Sequence, residues 1–284
     1  MPPPDLAHVT GIAIVVGMML AGAVAGSLGA LLGIGGGVFL IPLLNVGLGV
    51  PLKTASGISL MTVIATSNAV ATNESSRRFI NARLGMLLQV AAVAGGLFGA
   101  LVVHRLAVGT LYVILATVTA VIAGVMLTRL DRRNVILDAS AQTGALGGRY
   151  YEEESGREVV YRVRRLPAAL GVSLGSGIIS GLLGIGGGIL QVPALNAWCG
   201  VPMRAAAATT ATLIGVTALG SAPIYYARGQ IIAPLAAAAV LGVLAGSRVG
   251  MWYAARANAR ALKLLMAGVL GAVAVIYFYR SVTA

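Results

Sequence analysis

Two copies of one glycine-rich string are the residues of this sequence best suited to hold a small anion. Leu32-Gly33-Ile34-Gly35-Gly36-Gly37 is followed by Pro42, and an offset of 151 residues carries it onto Leu183-Gly184-Ile185-Gly186-Gly187-Gly188 with Pro193. Three consecutive glycines between helical segments leave backbone N–H groups unpaired at the start of the second helix, where the dipole presents its positive end. A Cβ would keep a ligand from that backbone and oppose the turn, while Pro42 and Pro193 weaken the helical bonding that would otherwise consume polar groups. Gly33, Pro42, Gly184 and Pro193 are therefore read as hairpin formers. Gly35, Gly36, Gly37, Gly186, Gly187 and Gly188 are read as the binding backbone. Tight hairpin packing alone is the other reading for a single copy; duplication in an apolar chain argues for a substrate site.

Side chains that recur at matched positions in apolar surroundings could complete the hydrogen bonds of an oxyanion. Asn45 matches Asn196, and Ser59 matches Thr210. Gln191, Thr209, Thr62 and Thr212 stand second. A Ser or Thr in a membrane helix often bonds back to its own helix, which is the competing reading for each hydroxyl. Asparagine is costlier to bury without a partner, so for Asn45 and Asn196 a binding role and a structural one stand level. His8 and His104 lie at segment ends and are read as interfacial.

Other chemistries lack their ingredients. A dinucleotide loop needs glycines at its first, third and sixth positions, but counting from Gly33 or Gly184 puts Val38 or Ile189 sixth, and no P-loop lysine follows. The acids Asp5, Glu74, Asp131, Asp138, Glu152, Glu153, Glu154 and Glu158 all lie outside the long apolar runs. Nucleophilic triads, paired buried carboxylates and metal-ligand clusters cannot be built within those runs. No enzymatic activity, cofactor or metal is expected.

The elements that must position the motifs are membrane helices. The chain has 284 residues, 58% of them hydrophobic and 10% charged, with a mean hydropathy of +0.93, too little polar surface to coat a soluble globule. Apolar runs at 9–32, 55–73, 84–103, 108–128, 166–183, 206–226, 231–253 and 261–279 approach the ~20 residues that cross a bilayer core. They are long, unbroken and without period-two alternation, so helices are expected rather than barrel strands. Runs 38–50 and 189–200 directly follow the motifs and read as the short legs of broken hairpins. The expected fold is an all-α polytopic bundle of about eight full spans plus two half-helix hairpins. It comprises a first repeat, 1–128, a polar cytoplasmic loop, 129–165, and a second repeat, 166–284.

Charge placement orients the bundle. If the short legs cross, Arg77, Arg78, Arg83, the arginines of the loop, Arg204, Arg256, Arg260 and Lys263 share one side, leaving Lys53, Arg105, Arg228 and Arg280 on the other. This segregates charge better than the model in which the legs do not cross. Each half then has an odd number of segments, the repeats are inverted and the N-terminus lies outside. The net charge of +12 reads as loop charge beside anionic lipid, not as a nucleic-acid surface. Tyr150 to Glu153 and Glu158 to Val163 flank Ser155-Gly156 and suggest a small hairpin in the loop. Cys199 is the single cysteine and reads as packing. Met1-Pro2-Pro3-Pro4-Asp5 lacks the basic start of a signal peptide, so the first run is expected to be retained.

The duplicated L-G-I-G-G-G-x-x-x-x-P, each copy followed by Gly-Val-Pro, a basic residue (Lys53, Arg204) and Ala (Ala55, Ala206), resembles the TauE/SafE family of sulfite and organosulfonate exporters. The likeness covers essentially the whole chain. It implies a multi-pass permease of a bacterial or archaeal inner membrane for small sulfur-containing anions such as sulfite or sulfoacetate. One departure is that Ile58-Ser59 and Thr209-Thr210 stand where the family often has Thr-Ser, so the two halves could contribute unequally. The partners implied are a small anion and the lipid bilayer, with a homodimer as the candidate assembly. A permease for another solute and a non-transport membrane scaffold are the competing readings.

Overall fold

The computed structural model describes residues 11–32, 34–128, 144–152, 157–254 and 259–283. The first half comprises α1 (Ile12–Leu32), a short α2 (Gly37–Pro42), α3 (Leu52–Thr72), the single turn α4 (Glu74–Arg77), α5 (Ala82–Val102) and α6 (Val108–Thr128). Strands β1 (Gly148–Glu152) and β2 (Arg157–Tyr161) follow. The second half comprises α7 (Leu166–Leu183), α8 (Gly188–Ala197), α9 (Met203–Ala227), α10 (Ala233–Ala254) and α11 (Ala259–Thr283). Among the described residues, six helices are long and apolar enough to cross a membrane. The described parts of α6 and α11 contribute shorter apolar stretches, Val108–Gly124 and Ala267–Val282.

Two helix starts precede the apolar runs that predict them. α3 and α9 begin at Leu52 and Met203, behind Pro51 and Pro202 in extended conformation. Proline cannot continue a preceding helix but presets φ for the next one, so it fixes the start, whereas hydropathy skips Lys53 and Arg204. Pro42 removes an N–H, and after it α2 widens into a π-turn over Leu43–Gly47. The matching Pro193 is absorbed within α8, which stays α-helical.

Large apolar side chains face outward along the helices, as lipid requires. Val90, Val275 and Val282 are 71–74% exposed. Exposed Trp198, Tyr226, Trp252 and Tyr279 lie near helix ends, the usual place for interfacial aromatics. The molecule is a multi-pass helical membrane protein.

Inside, glycine allows backbones to touch. α1 packs on α10 and α5 on α7. A Cβ on Gly26 would stand 2.7 Å from Val243 Cα, and one on Gly95 would stand 2.9 Å from the Ile178 nitrogen. Only small residues permit such crossings in lipid. The contact pattern survives exchange of the halves: α1 with α10 becomes α7 with α5, α3 with α10 becomes α9 with α5, and α3 with α9 and α6 with α11 map onto themselves.

The connections gather at two ends of the bundle. At one, Arg280 donates to the Asn45 side chain (2.9 Å), Lys53 to the Leu106 carbonyl (3.2 Å), and Gln230 meets His104 (3.4 Å). At the other, the Asn81 amide donates to the Leu146 carbonyl (2.8 Å) and the Tyr161 hydroxyl (3.1 Å), and the Arg164 N–H to the Cys199 carbonyl (3.0 Å). The linker forms the antiparallel hairpin that its sequence suggests, with Tyr150 opposite Val159. Tyr150 stacks edge-on against Phe79 at 5.0 Å, which docks the hairpin on the α4–α5 turn. The Ser155-Gly156 turn lies outside the described residues.

Candidate functional site

The two glycine motifs meet. A Cβ on Gly37 would lie 3.0 Å from the Gly184 carbonyl oxygen and 3.1 Å from Ile185 Cα. One on Gly188 would lie 2.7 Å from Ile34 Cα. Gly35 faces Ile214 of α9 and Gly186 faces Val63 of α3, so the crossing helices supply an apolar wall at equivalent positions. Each motif is pressed between its partner motif and the α3–α9 crossing. Gly33 lies outside the described residues.

Backbone shape explains why glycine is needed. Gly35, Gly184, Gly186 and Gly187 have φ of +76°, +74°, +82° and +78°, a region that side-chain-bearing residues seldom enter. Among the described residues, the N–H groups of Gly36, Gly37 and Val38, and of Gly187, Gly188 and Ile189, have no backbone acceptor. The chain resumes bonding with Phe39 and Leu40 onto the Gly36 carbonyl, and with Leu190 and Gln191 onto the Gly187 carbonyl. These are the unpaired donors at a helix start, held in a buried place with no described acid beside them.

Hydroxyls brace the motifs. Ser59 of α3 donates to the Gly184 carbonyl at 2.7 Å, tying the first half to the second motif. Ser176 of α7 donates to the Gly187 carbonyl. Thr62 and Thr212 bond back into their own helices at 2.8 Å. Thr209 accepts the Asn81 N–H at 2.8 Å and so fastens the start of α5 to α9. Thr210 is 3% exposed, and its Oγ1 has no partner among the described residues.

The matched asparagines have matched bonds. Asn45 Nδ2 donates to the Val50 carbonyl (2.8 Å) and Asn196 Nδ2 to the Val201 carbonyl (3.1 Å). Each closes the Gly-Val-Pro loop beyond its short helix, away from the glycine contact. Gln191 is buried in the first turn of α8. The glycines, Ser59 and the first turn of α8 are thus brought together, while Asn45 and Asn196 sit at opposite ends.

Several buried polar residues were not singled out from the sequence. Ser173, Ser176 and Ser180 lie on one face of α7 and are almost wholly buried; their spacing of three and four was the available signal. Gln89 of α5 bonds Thr217 of α9, and Thr217 stands on Thr66 under the same offset. Tyr225 donates to the Gly181 and Leu182 carbonyls at 2.9 and 3.0 Å, which no local pattern announces.

A family model described as sulfite exporter TauE/SafE matches residues 18–277. The chain is 23% identical over 262 residues to the probable membrane transporter protein YunE of Bacillus subtilis, covering 89% of this chain and 93% of that protein. It is 24% identical over 269 residues to the probable membrane transporter protein MJ0441 of Methanocaldococcus jannaschii, covering 89% and 91%. No solved structure matches the chain.

Proposed function

The chain belongs to the sulfite exporter TauE/SafE family, and from that premise we propose that this membrane transporter exports a small sulfur-containing oxyanion, sulfite or an organosulfonate such as sulfoacetate, across a bacterial or archaeal inner membrane. The observation that carries this reading is the meeting of two glycine motifs whose first-turn N–H groups have no backbone acceptor among the described residues. Such donors bind oxyanions without a buried lysine or arginine. A cation carrier would need an acid in the membrane interior, and Glu74 lies outside the apolar runs.

The two halves, 1–128 and 166–284, act as inverted repeats around the linker. In support, Asn45 and Asn196, which follow equivalent short helices, lie at opposite ends of the bundle. The basic linker shares its end with Arg78 and the Cys199 turn, which suits a cytoplasmic face. Eight full spans and two half-helices result, and rocking of one repeat against the other would expose the glycine site to each side in turn. Gly35 to Gly37, Gly186 to Gly188, Ser59, Thr210 and Gln191 form the binding region. Thr209, Asn45 and Asn196 hold its surroundings in register.

The test is flux in proteoliposomes made with the purified full chain. Saturable sulfite or sulfoacetate efflux, competed by the other anion, is expected. Efflux no faster than from empty liposomes for both anions overturns the proposal.

A further inference from the structure

The halves differ where exchange should make them alike. The offset of 151 residues carries Gly22, Ala25 and Gly29 of α1 onto Ser173, Ser176 and Ser180 of α7, and Ser59 onto Thr210. The hairpin of the second motif is therefore lined by hydroxyls where that of the first has glycine and alanine. The backbones differ as well: Gly36 caps α2 at φ −64°, whereas Gly187 caps α8 at φ +78°.

Two of these hydroxyls are unspent. A helical serine ordinarily returns its hydroxyl to a carbonyl one turn back. Ser180 Oγ does not: it is wholly buried and has no hydrogen-bond partner among the described residues. A Cβ built on Gly187 would stand 3.6 Å from Ser180 Cβ, so the serine faces the N-cap of α8. Thr210 Oγ1, on α9 packed against α8, is likewise unpartnered among the described residues. Its counterpart Ser59 donates its hydrogen bond to the Gly184 carbonyl. Buried hydroxyls left without a partner are costly, and none of the described residues supplies one for these two.

We propose that the anion is held off the axis between the copies, on the second motif, with the Ser180 and Thr210 hydroxyls donating to its oxygens beside the Gly188 and Ile189 N–H groups. This rests on the anion-carrier reading above and adds the residues that recognise the ligand. All the donors are neutral, which suits a singly charged oxyanion such as a sulfonate or hydrogensulfite. The first motif then serves as the fulcrum against which the loaded one moves.

The experiment titrates sulfite and sulfoacetate into the purified full chain in nanodiscs by calorimetry, with thermal midpoints measured in parallel. Ser180→Ala and Ser180→Gly, the latter installing the residue of the first copy, and Thr210→Val are each expected to raise Kd about tenfold or more; Ser180→Ala and Thr210→Val, which remove a buried hydroxyl without a partner among the described residues, do so without lowering the thermal midpoint of the ligand-free protein. Ser180→Thr is expected to recover most of the affinity. Ser59→Ala shifts Kd less than Ser180→Ala. Parent-like affinity in both Ser180→Ala and Ser180→Gly, or an equal loss in Ser59→Ala, overturns the off-axis site while leaving the carrier reading intact. Absence of binding by the parent chain to either anion instead removes the carrier reading, and the off-axis site with it.

Discussion

Gly188 touches the backbone of Ile34: a Cβ at Gly188 would stand 2.7 Å from Ile34 Cα. Because the obstacle is main chain, it cannot swing aside as a flexible side chain could. Gly188→Ala must push the two motifs apart, at a cost of about 1–3 kcal/mol typical of overpacking. The variant is expected to insert, to melt at lower temperature and to lose flux. Gly268→Ala on α11, where a Cβ would meet nothing within 4 Å, serves as the control with parent-like melting and flux. A Gly188→Ala protein as stable and active as this control would mean that the close contact is dispensable.

Ser59 is the hydrogen-bonding tie from the first half to the second motif. Ser59→Ala leaves the Gly184 carbonyl without that donor and should cost about 1 kcal/mol, rising toward about 3 if no water reaches it. Thermal melting in detergent measures it. A midpoint equal to that of the parent would show that the bond adds nothing.

Topology can be read from outside the cell. With Cys199→Ala as background, Ala107→Cys is expected to react with an impermeant maleimide on intact cells, and Tyr151→Cys only after lysis. Both residues are exposed and lie at opposite ends of the bundle. Equal labelling of the two on intact cells contradicts inverted repeats with a cytoplasmic linker.

The linker hairpin should release in alkali. Burial pushes the Tyr161 phenol above its ordinary 10.0, while its hydrogen bond with Asn81 pulls the other way. Since the folded value lies above the unfolded one, the stabilisation is complete below about pH 10 and is lost as pH rises through the folded value. Limited proteolysis of the linker is expected to accelerate above that point in the parent and not in Tyr161→Phe. An identical pH profile in both proteins would clear Tyr161 of this role.

Coupling should not depend on a protein carboxylate. Glu74 is exposed beyond α3, and proton-coupled carriers need a titrating group within the membrane. An inside-negative potential of about 100 mV favours efflux of each negative charge by about 2.3 kcal/mol, enough to drive a monoanion outward. Glu74→Gln proteoliposomes are therefore expected to match the parent in sulfonate flux under clamped potential and an imposed pH gradient. Loss of pH-driven accumulation in the variant alone would identify Glu74 as a coupling residue.

Sequence by itself determined the duplication, the membrane class, the approximate helices and the glycine motifs, because apolar length and glycine content act through local geometry and transfer free energy. The pairing of the two linker strands was legible in the same way, from two short runs of strand-forming residues on either side of Ser155-Gly156. Only the tertiary structure decided how each polar side chain is committed. Asn45 and Asn196 look like twin ligands in the sequence, yet their amides close loops at opposite ends. Thr209 and Thr210 are neighbours, but one holds the α5 start while the hydroxyl of the other has no partner among the described residues. Ser180 carries no signal of its role in the sequence, because its significance lies in a hydroxyl without a partner among the described residues, at a glycine that only the α7–α8 turn brings alongside it. A hydroxyl has one proton to give, and which acceptor takes it depends on elements distant in the chain that meet only when the halves fold together.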